Sequence, residues 1–259
     1  MILSQNNARR EISDKIAMAT TTFYNPNNEN DVYRSALAKN VVREATELGY
    51  AVIVVDGGSS DELLREFERY GARVYTESSK GMGNGRRQAI REAYNTGKDI
   101  IAWTEPEKED YILKIVDTSF PVLNCSADLV VPRRKSMQSY PTAQQYAEPL
   151  GNAFWREVTG ADLDVLFGPR TWRRELSDYF LNYDGEYGDK WDSIFIPVMN
   201  AIFDGKRVSG VEVEYTHPRG QTEMEEHNIH FYRKRLEQLE NLMTSLEMHQ
   251  KKLRFSRPK

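Results

Sequence analysis

The chain has one cysteine, Cys125, among its 259 residues. No intrachain disulfide can form, so packing and hydrogen bonds must hold the fold, and a reducing, cytoplasmic setting is the expectation. Cys125 lies in Leu123-Asn124-Cys125-Ser126-Ala127 and reads as a buried, inert thiol. Long apolar runs are also missing. No stretch approaches the ~20 apolar residues needed to span a bilayer. The opening MILSQNNARREISDK lacks the apolar centre of a signal peptide. Basic charge is not in excess: 35 Lys and Arg stand against 39 Asp and Glu, for a net charge of −4. Non-specific nucleic-acid binding needs a basic footprint, so that class is excluded. No repeat, low-complexity tract or clean linker breaks the chain, and one integrated domain is expected. Hydrophobic residues make up 39% and charged residues 29%, enough for a core under a strongly polar surface.

What is present is an alternation of short apolar runs and helical spacing. Lys15–Tyr24 (KIAMATTTFY), Ala51–Val55 (AVIVV), Arg73–Glu77, Asp99–Thr104 and Ala127–Pro132 (ADLVVP) read as strands. Helical spacing covers Asp31–Leu48, Glu62–Tyr70, Arg86–Tyr94 and Glu109–Val116, with a glycine-rich loop at Gly81–Gly85. This order predicts an α/β fold: a mostly parallel sheet with helices on both faces. In the second half, helices are expected at Gln144–Val158, Thr171–Leu181 and Ile194–Phe203. Asp164–Pro169 is expected to be a strand or extended segment, and Lys206–Tyr215 a strand. Asn182–Asp192 reads as an acidic, aromatic loop. A long charged helix, Glu223–Lys252, carries Ile229, Tyr232, Leu236, Leu239, Met243 and Leu246 on one stripe, a face for docking on the body or on a second subunit in a homodimer. Its polar face is mixed in sign, unlike a membrane-surface helix.

The most chemically pointed stretch is Ile100-Ile101-Ala102-Trp103-Thr104-Glu105-Pro106-Glu107-Lys108-Glu109-Asp110. An apolar strand ends in two carboxylates one residue apart, at the sheet edge where open α/β folds gather ligands. Two such acids can share one hard cation, which in turn can hold substrate phosphates. A solvated acidic turn is the alternative. The rest of the chain adds to the picture. Asp56 ends a buried strand before Gly57 and Gly58, and its carboxylate can accept from a base or a ribose. In Lys80-Gly81-Met82-Gly83-Asn84-Gly85-Arg86-Arg87, glycines and a helix N-terminus free backbone N–H groups for a diphosphate, with Lys80, Arg86 or Arg87 completing the site.

Four segments together resemble the GT-A fold glycosyltransferases, especially the family 2 nucleotide-sugar enzymes. They are Ala19-Thr20-Thr21-Thr22-Phe23-Tyr24-Asn25, Val54-Val55-Asp56-Gly57-Gly58-Ser59-Ser60-Asp61, Lys80–Arg87 and Glu105-Pro106-Glu107. The likeness extends over about residues 15–220, and is strongest to the mannosylglycerate and glucosyl-phosphoglycerate synthase type. It implies a GT-A domain at 15–222, with a nucleotide-binding half at 15–135 and an acceptor half at 136–222. Residues 1–14 would be an extension, and 223–259 the C-terminal helix and tail. The implied activity is sugar transfer from a UDP- or GDP-sugar to a hydroxyl of a small soluble acceptor.

The same resemblance implies the site residues. Thr21, Thr22, Phe23, Asp56, Lys80, Gly81, Arg86 and Glu105 would bind the nucleotide sugar. Glu105, Glu107 and the late His217 would hold Mg²⁺ or Mn²⁺. Gly168, Arg170, Thr171 and Trp191 would bind the acceptor, and Asp189 and Asp192 would be catalytic; Lys108, beside the acidic turn, is a further catalytic candidate read from the residues themselves. His227 and His230 read as structural or exposed, and His249 as solvated. The acidic turn departs from the family's Asp-x-Asp, and Gly57 stands where the family has a second acid. A lysine, Lys108, follows the turn and could take over charge neutralisation from the cation. Two other classes stay open: a sugar-nucleotide sensor or scaffold without turnover, and a nucleotidyltransferase.

Overall fold

The protein, described here from a computed structural model covering residues 9–256, is built on one seven-stranded sheet. Residues 1–8 of the expected extension and the last three of the tail lie outside the described residues. The strands are β1 (Ile16–Thr22), β2 (Ala51–Asp56), β3 (Arg73–Thr76), β4 (Ile100–Trp103), β5 (Leu129–Arg134), β6 (Arg170–Arg173) and β7 (Val208–Val213). Their spatial order is β3-β2-β1-β4-β6-β5-β7. Only β6 runs antiparallel to its neighbours, β4 and β5.

The central strands are buried on both faces, and alternation sends their side chains to two cores. Ile16 and Met18 of β1, with Val52 and Val54 of β2, pack in one layer. Ala17, Ala19, Ile53 and Val55 pack in the other. The first layer is covered by helix α1 (Glu29–Glu47), α2 (Asp61–Tyr70) and, beyond a short α4 (Glu109–Ile112), α5 (Ile115–Leu123). The second is covered by α3 (Met82–Asn95), α6 (Thr142–Thr159), the short α7 (Ser177–Leu181) and α8 (Asp192–Phe203). Two more helices, α9 (Arg219–Glu225) and α10 (Ile229–Ser256), close the chain. Helix starts follow local chemistry: Asn28 caps α1 by accepting from the N–H groups of Asn30 and Asp31, and Ser60 caps α2 at Leu63.

Several expectations are corrected. The glycine-rich segment at 81–85 is not a free loop: α3 begins at Met82, with Gly83 and Gly85 inside its first turns. Asp164–Pro169 forms no strand, and the helix expected at Thr171–Leu181 is instead β6, a 3-10 turn (Arg174–Leu176) and α7. Tertiary pairing wins there, because Thr171 bridges Ala102 of β4 and Val130 of β5 and completes the sheet between them. The helix expected at Glu109–Val116 is two helices, α4 and α5. The C-terminal helix starts at Ile229, after His227 at a positive φ of 58°.

The expected stripe on that helix splits. Leu246 is buried, but Ile229, Tyr232 and Leu236 are exposed. The face that packs is Gln238, Leu242, Ser245, Leu246 and His249, one position over from the stripe read in the sequence. His249 is not solvated: its ring meets Tyr187 Oη at 3.1 Å and Asn200 Oδ1 at 2.6 Å. Cys125 is exposed rather than buried, in a turn at φ 61° after α5. No helix among the described residues is long and apolar enough to cross a membrane.

Candidate active site

The sheet's carboxyl edge opens into a cleft of about 800 Å³. One wall comes from the ends of β1, β2 and β4 and the start of α3. The other comes from the segment before β6, the turn before α8, and the C-terminal helices. Of the expected nucleotide-sugar residues, Thr21, Thr22, Phe23, Lys80, Gly81, Arg86 and Glu105 line this cleft. Phe23 is 62% exposed, and its ring lies beside Gly57 and Gly58. Lys80 has no anionic side-chain partner within ion-pair distance among the described residues.

Asp56 is the exception. Its carboxylate accepts from Thr22 Oγ1 (2.7 Å), Ser59 Oγ (2.6 Å) and the N–H groups of Gly58 (2.8 Å) and Ser59 (2.7 Å). Four donors use its lone pairs, and it is 2% exposed. Asp56 therefore ties the β2 turn to β1, and its carboxylate is not free to read a base. Arg86 is also engaged. Its Nη1 donates to Lys190 O (2.6 Å) and Ser193 Oγ (2.9 Å), bracing the start of α8, while its buried Nε has no partner. Burial pulls its pKa down to about 10, against the opposing pull of Glu105, Asp192 and Asp189.

The acidic turn divides its labour. Glu107 is 6% exposed, accepts from Tyr24 Oη at 2.8 Å, and pairs with Arg34 at 2.6 Å. It joins β4's end to α1. Glu105 is different: its buried Oε2 has no hydrogen-bond partner. It rests against Gly168, where an added Cβ would come within 1.9 Å of Glu105 Oε1. Lys108 stands over the rings of Phe167 (4.7 Å) and Tyr215 (5.2 Å) and makes no ion pair among the described residues.

His217 lines the same cleft and is 5% exposed. Thr222 Oγ1 gives its single proton to Ser139 O at 2.8 Å. The 2.8 Å contact between Thr222 Oγ1 and His217 Nδ1 is therefore donated by the imidazole. That fixes the Nδ1–H tautomer and leaves Nε2 with its lone pair. Burial, with the charges of Lys108, Arg235 and Arg134, lowers the His217 pKa to about 3, so the ring is neutral. Glu105, Glu107 and His217 do not form the expected three-residue cation site, since among the described residues no three His, Cys, Asp or Glu side chains are grouped to hold a metal ion. Glu107 is withdrawn by Arg34 and Tyr24. The donors left are the orphaned Glu105 Oε2 and His217 Nε2, a set that fits a hard cation only if a bound diphosphate supplies further oxygens.

The expected acceptor and catalytic residues are dispersed. Gly168 and Trp191 line the cleft. Arg170 and Thr171 are fully buried in β6. Arg170 donates to Pro169 O (2.7 Å) and Val165 O (2.5 Å), and Thr171 Oγ1 meets Thr118 Oγ1 at 3.1 Å. Neither can reach an acceptor. Asp192 is also fully buried and accepts from Tyr183 Oη (2.5 Å) and from Lys190 N (2.7 Å), so it orders the turn before α8 rather than acting on a substrate. Asp189 is held by both terminal nitrogens of Arg87, at 2.5 and 2.7 Å, and lies away from the cleft.

The cleft also gathers residues that sequence reading passed over. Tyr140 and Gln144, at the start of α6, are buried, and Tyr140 Oη and Gln144 Oε1 lack partners. Arg134 forms a buried pair with Asp164 (2.7 Å) and Glu148 (2.6 Å). Lys234 of α10 enters without an acidic partner among the described residues, and desolvation and the charges of Arg235 and Arg34 lower its pKa. Only the fold brings Lys234 to Arg134, Tyr140 and Gln144, because it lies about ninety or more positions beyond them.

No protein-family model matches the chain, and no curated protein matches its sequence. Solved structures do match. Glucosyl-3-phosphoglycerate synthase from Mycobacterium tuberculosis, in complex with Mg²⁺ and UDP, superposes with a TM-score of 0.64 at 17% identity, over 95% of this chain and 83% of that one. The same enzyme with phosphoglyceric acid gives 0.65 at 17% identity, over 95% and 84%. Mannosyl-3-phosphoglycerate synthase from Rubrobacter xylanophilus gives 0.61 at 17% identity, over 94% and 77%. The chain thus has an α/β fold similar to that of GT-A glycosyltransferases, as the four sequence segments implied.

Proposed function

We propose that this protein is a glycosyltransferase that moves a sugar from a nucleotide diphosphate sugar to a hydroxyl of a small soluble acceptor. The observation that carries the reading is the polar cleft at the sheet's carboxyl edge. There, Lys80, Lys108 and Lys234, which have no acidic partner among the described residues, and the unsatisfied Glu105 face one space. An acid without a partner and lysines without counter-ions match a ligand that brings both anionic oxygens and a cation.

The residues divide as follows. Phe23 offers its exposed face to the base, beside the glycine turn at 57–58. Lys80 and the N-terminal turn of α3 receive the diphosphate, where N–H groups and the helix dipole favour negative charge. Lys108 is held over two rings, and its charge is available as the diphosphate departs. Glu105 and His217 Nε2 would hold Mg²⁺ or Mn²⁺, which several of the neighbouring structures contain beside UDP. The cation would neutralise charge on the leaving group. Trp191 and Gly168 flank the opposite side, where the acceptor sits. Lys234 makes that side suited to an anionic acceptor, as in the neighbours bound to phosphoglyceric acid. Rate enhancement would come from positioning and from charge placed before reaction.

A panel of UDP, GDP and their sugars, read by thermal shift with and without Mn²⁺, tests binding. Release of nucleotide from a bound sugar donor tests turnover. Binding without turnover on any acceptor would favour a sensor. Loss of turnover in chelator, restored by Mn²⁺, supports the cation; full activity in chelator removes it and leaves Lys108 with that task. On this reading the protein works in the cytoplasm. A second copy would dock on the exposed Ile229, Tyr232 and Leu236 of α10, which sedimentation would detect.

A further inference from the structure

The carboxylate expected to read the base, Asp56, is consumed by its own turn, yet another acid stands at the same edge. Glu77 follows β3 and lines the cleft beside Thr21, Phe23 and Gly57. Its two oxygens each face a glycine. A Cβ added at Gly85 would come 2.9 Å from Oε1, and one added at Gly57 would come 3.3 Å from Oε2. The same Gly57 position lies 3.6 Å from the Phe23 ring. The carboxylate is therefore seated between two side-chain-free positions, next to an exposed aromatic face. This is a slot for a flat heterocycle with an acceptor pair at its edge.

Glu77 forms no ion pair among the described residues. Burial raises its pKa, with a contribution from Asp56, while the Gly81 N–H and Lys80 pull the other way. A carboxylate has about four acceptor sites, so acceptor capacity remains on both oxygens. The neighbouring glycines leave the carboxylate its seat: a side chain at 85 would make it shift, and one at 57 would press on it by a few tenths of an ångström.

We infer that Glu77 is the base-selecting residue of the site, and that its paired oxygens favour a guanine diphosphate donor over a uracil one. This rests on the nucleotide-sugar reading above. A carboxylate offers two acceptors and no donor. Guanine presents N1–H and the 2-amino group side by side, so both oxygens are used. Uracil presents one N3–H between two carbonyl oxygens, so a second carboxylate oxygen meets an acceptor and is repelled. Charge-assisted, two-point pairing is the stronger and more directional arrangement.

Calorimetric titration of the full chain with GDP, IDP and UDP in the presence of Mg²⁺ tests this. IDP lacks only the 2-amino group. Wild type should bind GDP about tenfold or more tightly than IDP or UDP, the worth of one hydrogen bond to a charged group. In Glu77→Gln, which offers one acceptor and one donor, the preference for GDP over UDP should vanish or invert, with the melting temperature unchanged. Equal affinities for GDP and IDP in wild type, tighter binding of UDP, or an unchanged GDP-to-UDP ratio in the variant would overturn the inference and leave the nucleotide-sugar reading standing. Failure of wild type to bind any of the three would overturn that reading itself.

Discussion

His217 should make the protein sensitive to mild acid, by an amount the structure sets. In the folded chain burial and three cations hold its pKa at about 3, against about 6.5 in an unfolded chain. Between those values the unfolded chain takes up a proton that the folded chain refuses. Stability therefore rises with pH across this window: the contribution is whole above about 6.5 and is lost progressively toward 3. One proton changes the free energy by at most about 1.4 kcal/mol per pH unit. From pH 8 to pH 5 the loss from this residue is about 2 kcal/mol. Urea denaturation of wild type and His217→Asn at a series of pH values measures it. Asparagine keeps an N–H near Thr222 but does not titrate. Subtracting the two curves cancels the carboxylates and His249. The difference should slope through pH 6 to 4; a flat difference between pH 7 and pH 5 would refute the placement of His217 among Lys108, Arg134 and Arg235.

Other substitutions separate frame from site. Asp56→Ala should cost about 2–3 kcal/mol in chemical denaturation, because four donors lose one charged acceptor; a fold left intact with only nucleotide affinity reduced would restore the base-reading role. Gly168→Ala should lower both the melting temperature and cation-dependent nucleotide binding, since its φ is 102° and its Cβ would strike Glu105; wild-type behaviour would show that Glu105 is free to move aside. Leu242→Ala on the buried face of α10 should cost about 2–5 kcal/mol, and Leu236→Ala on the exposed part less than about 0.5 kcal/mol in the monomer; equal costs would mean that the helix is seated differently.

The first half of the fold was legible because its signals are local. AVIVV is a short apolar run that reads as a doubly buried strand, and Asp56-Gly57-Gly58 as the turn at its end. The second half was not, because β6 exists through its partners. Arg170-Thr171-Trp172-Arg173 has spacing compatible with a helix and becomes a strand by filling the gap between β4 and β5. The site shows the same division. Sequence located the acidic turn and the late histidine but could not distinguish Glu105 from Glu107. That difference depends on Arg34 and Tyr24, both distant in the chain. Asp189 and Asp192 looked like substrate-facing acids, yet Arg87 and Tyr183 engage them. Glu77 had only a faint signal, an acid at a strand end before a Ser-Ser-Lys-Gly segment.

Asp189 fits where it does because positions 83 and 185 carry no side chains. A Cβ at Gly83 would fall 1.9 Å from its Oδ1, and one at Gly185 would fall 2.6 Å from its own Cβ. Arg87 grips both oxygens from the same helix that bears Gly83. The donor-side helix and the loop before α8 are thus dovetailed through one acid and two vacancies. Such a joint cannot drift one residue at a time. A descendant that gains a side chain at 83 must discard the acid at 189 in the same stroke, and Arg87 then keeps Asn84 Oδ1 but no counter-charge. Across divergent relatives, positions 83, 87, 185 and 189 should therefore change as a set or stay as they are.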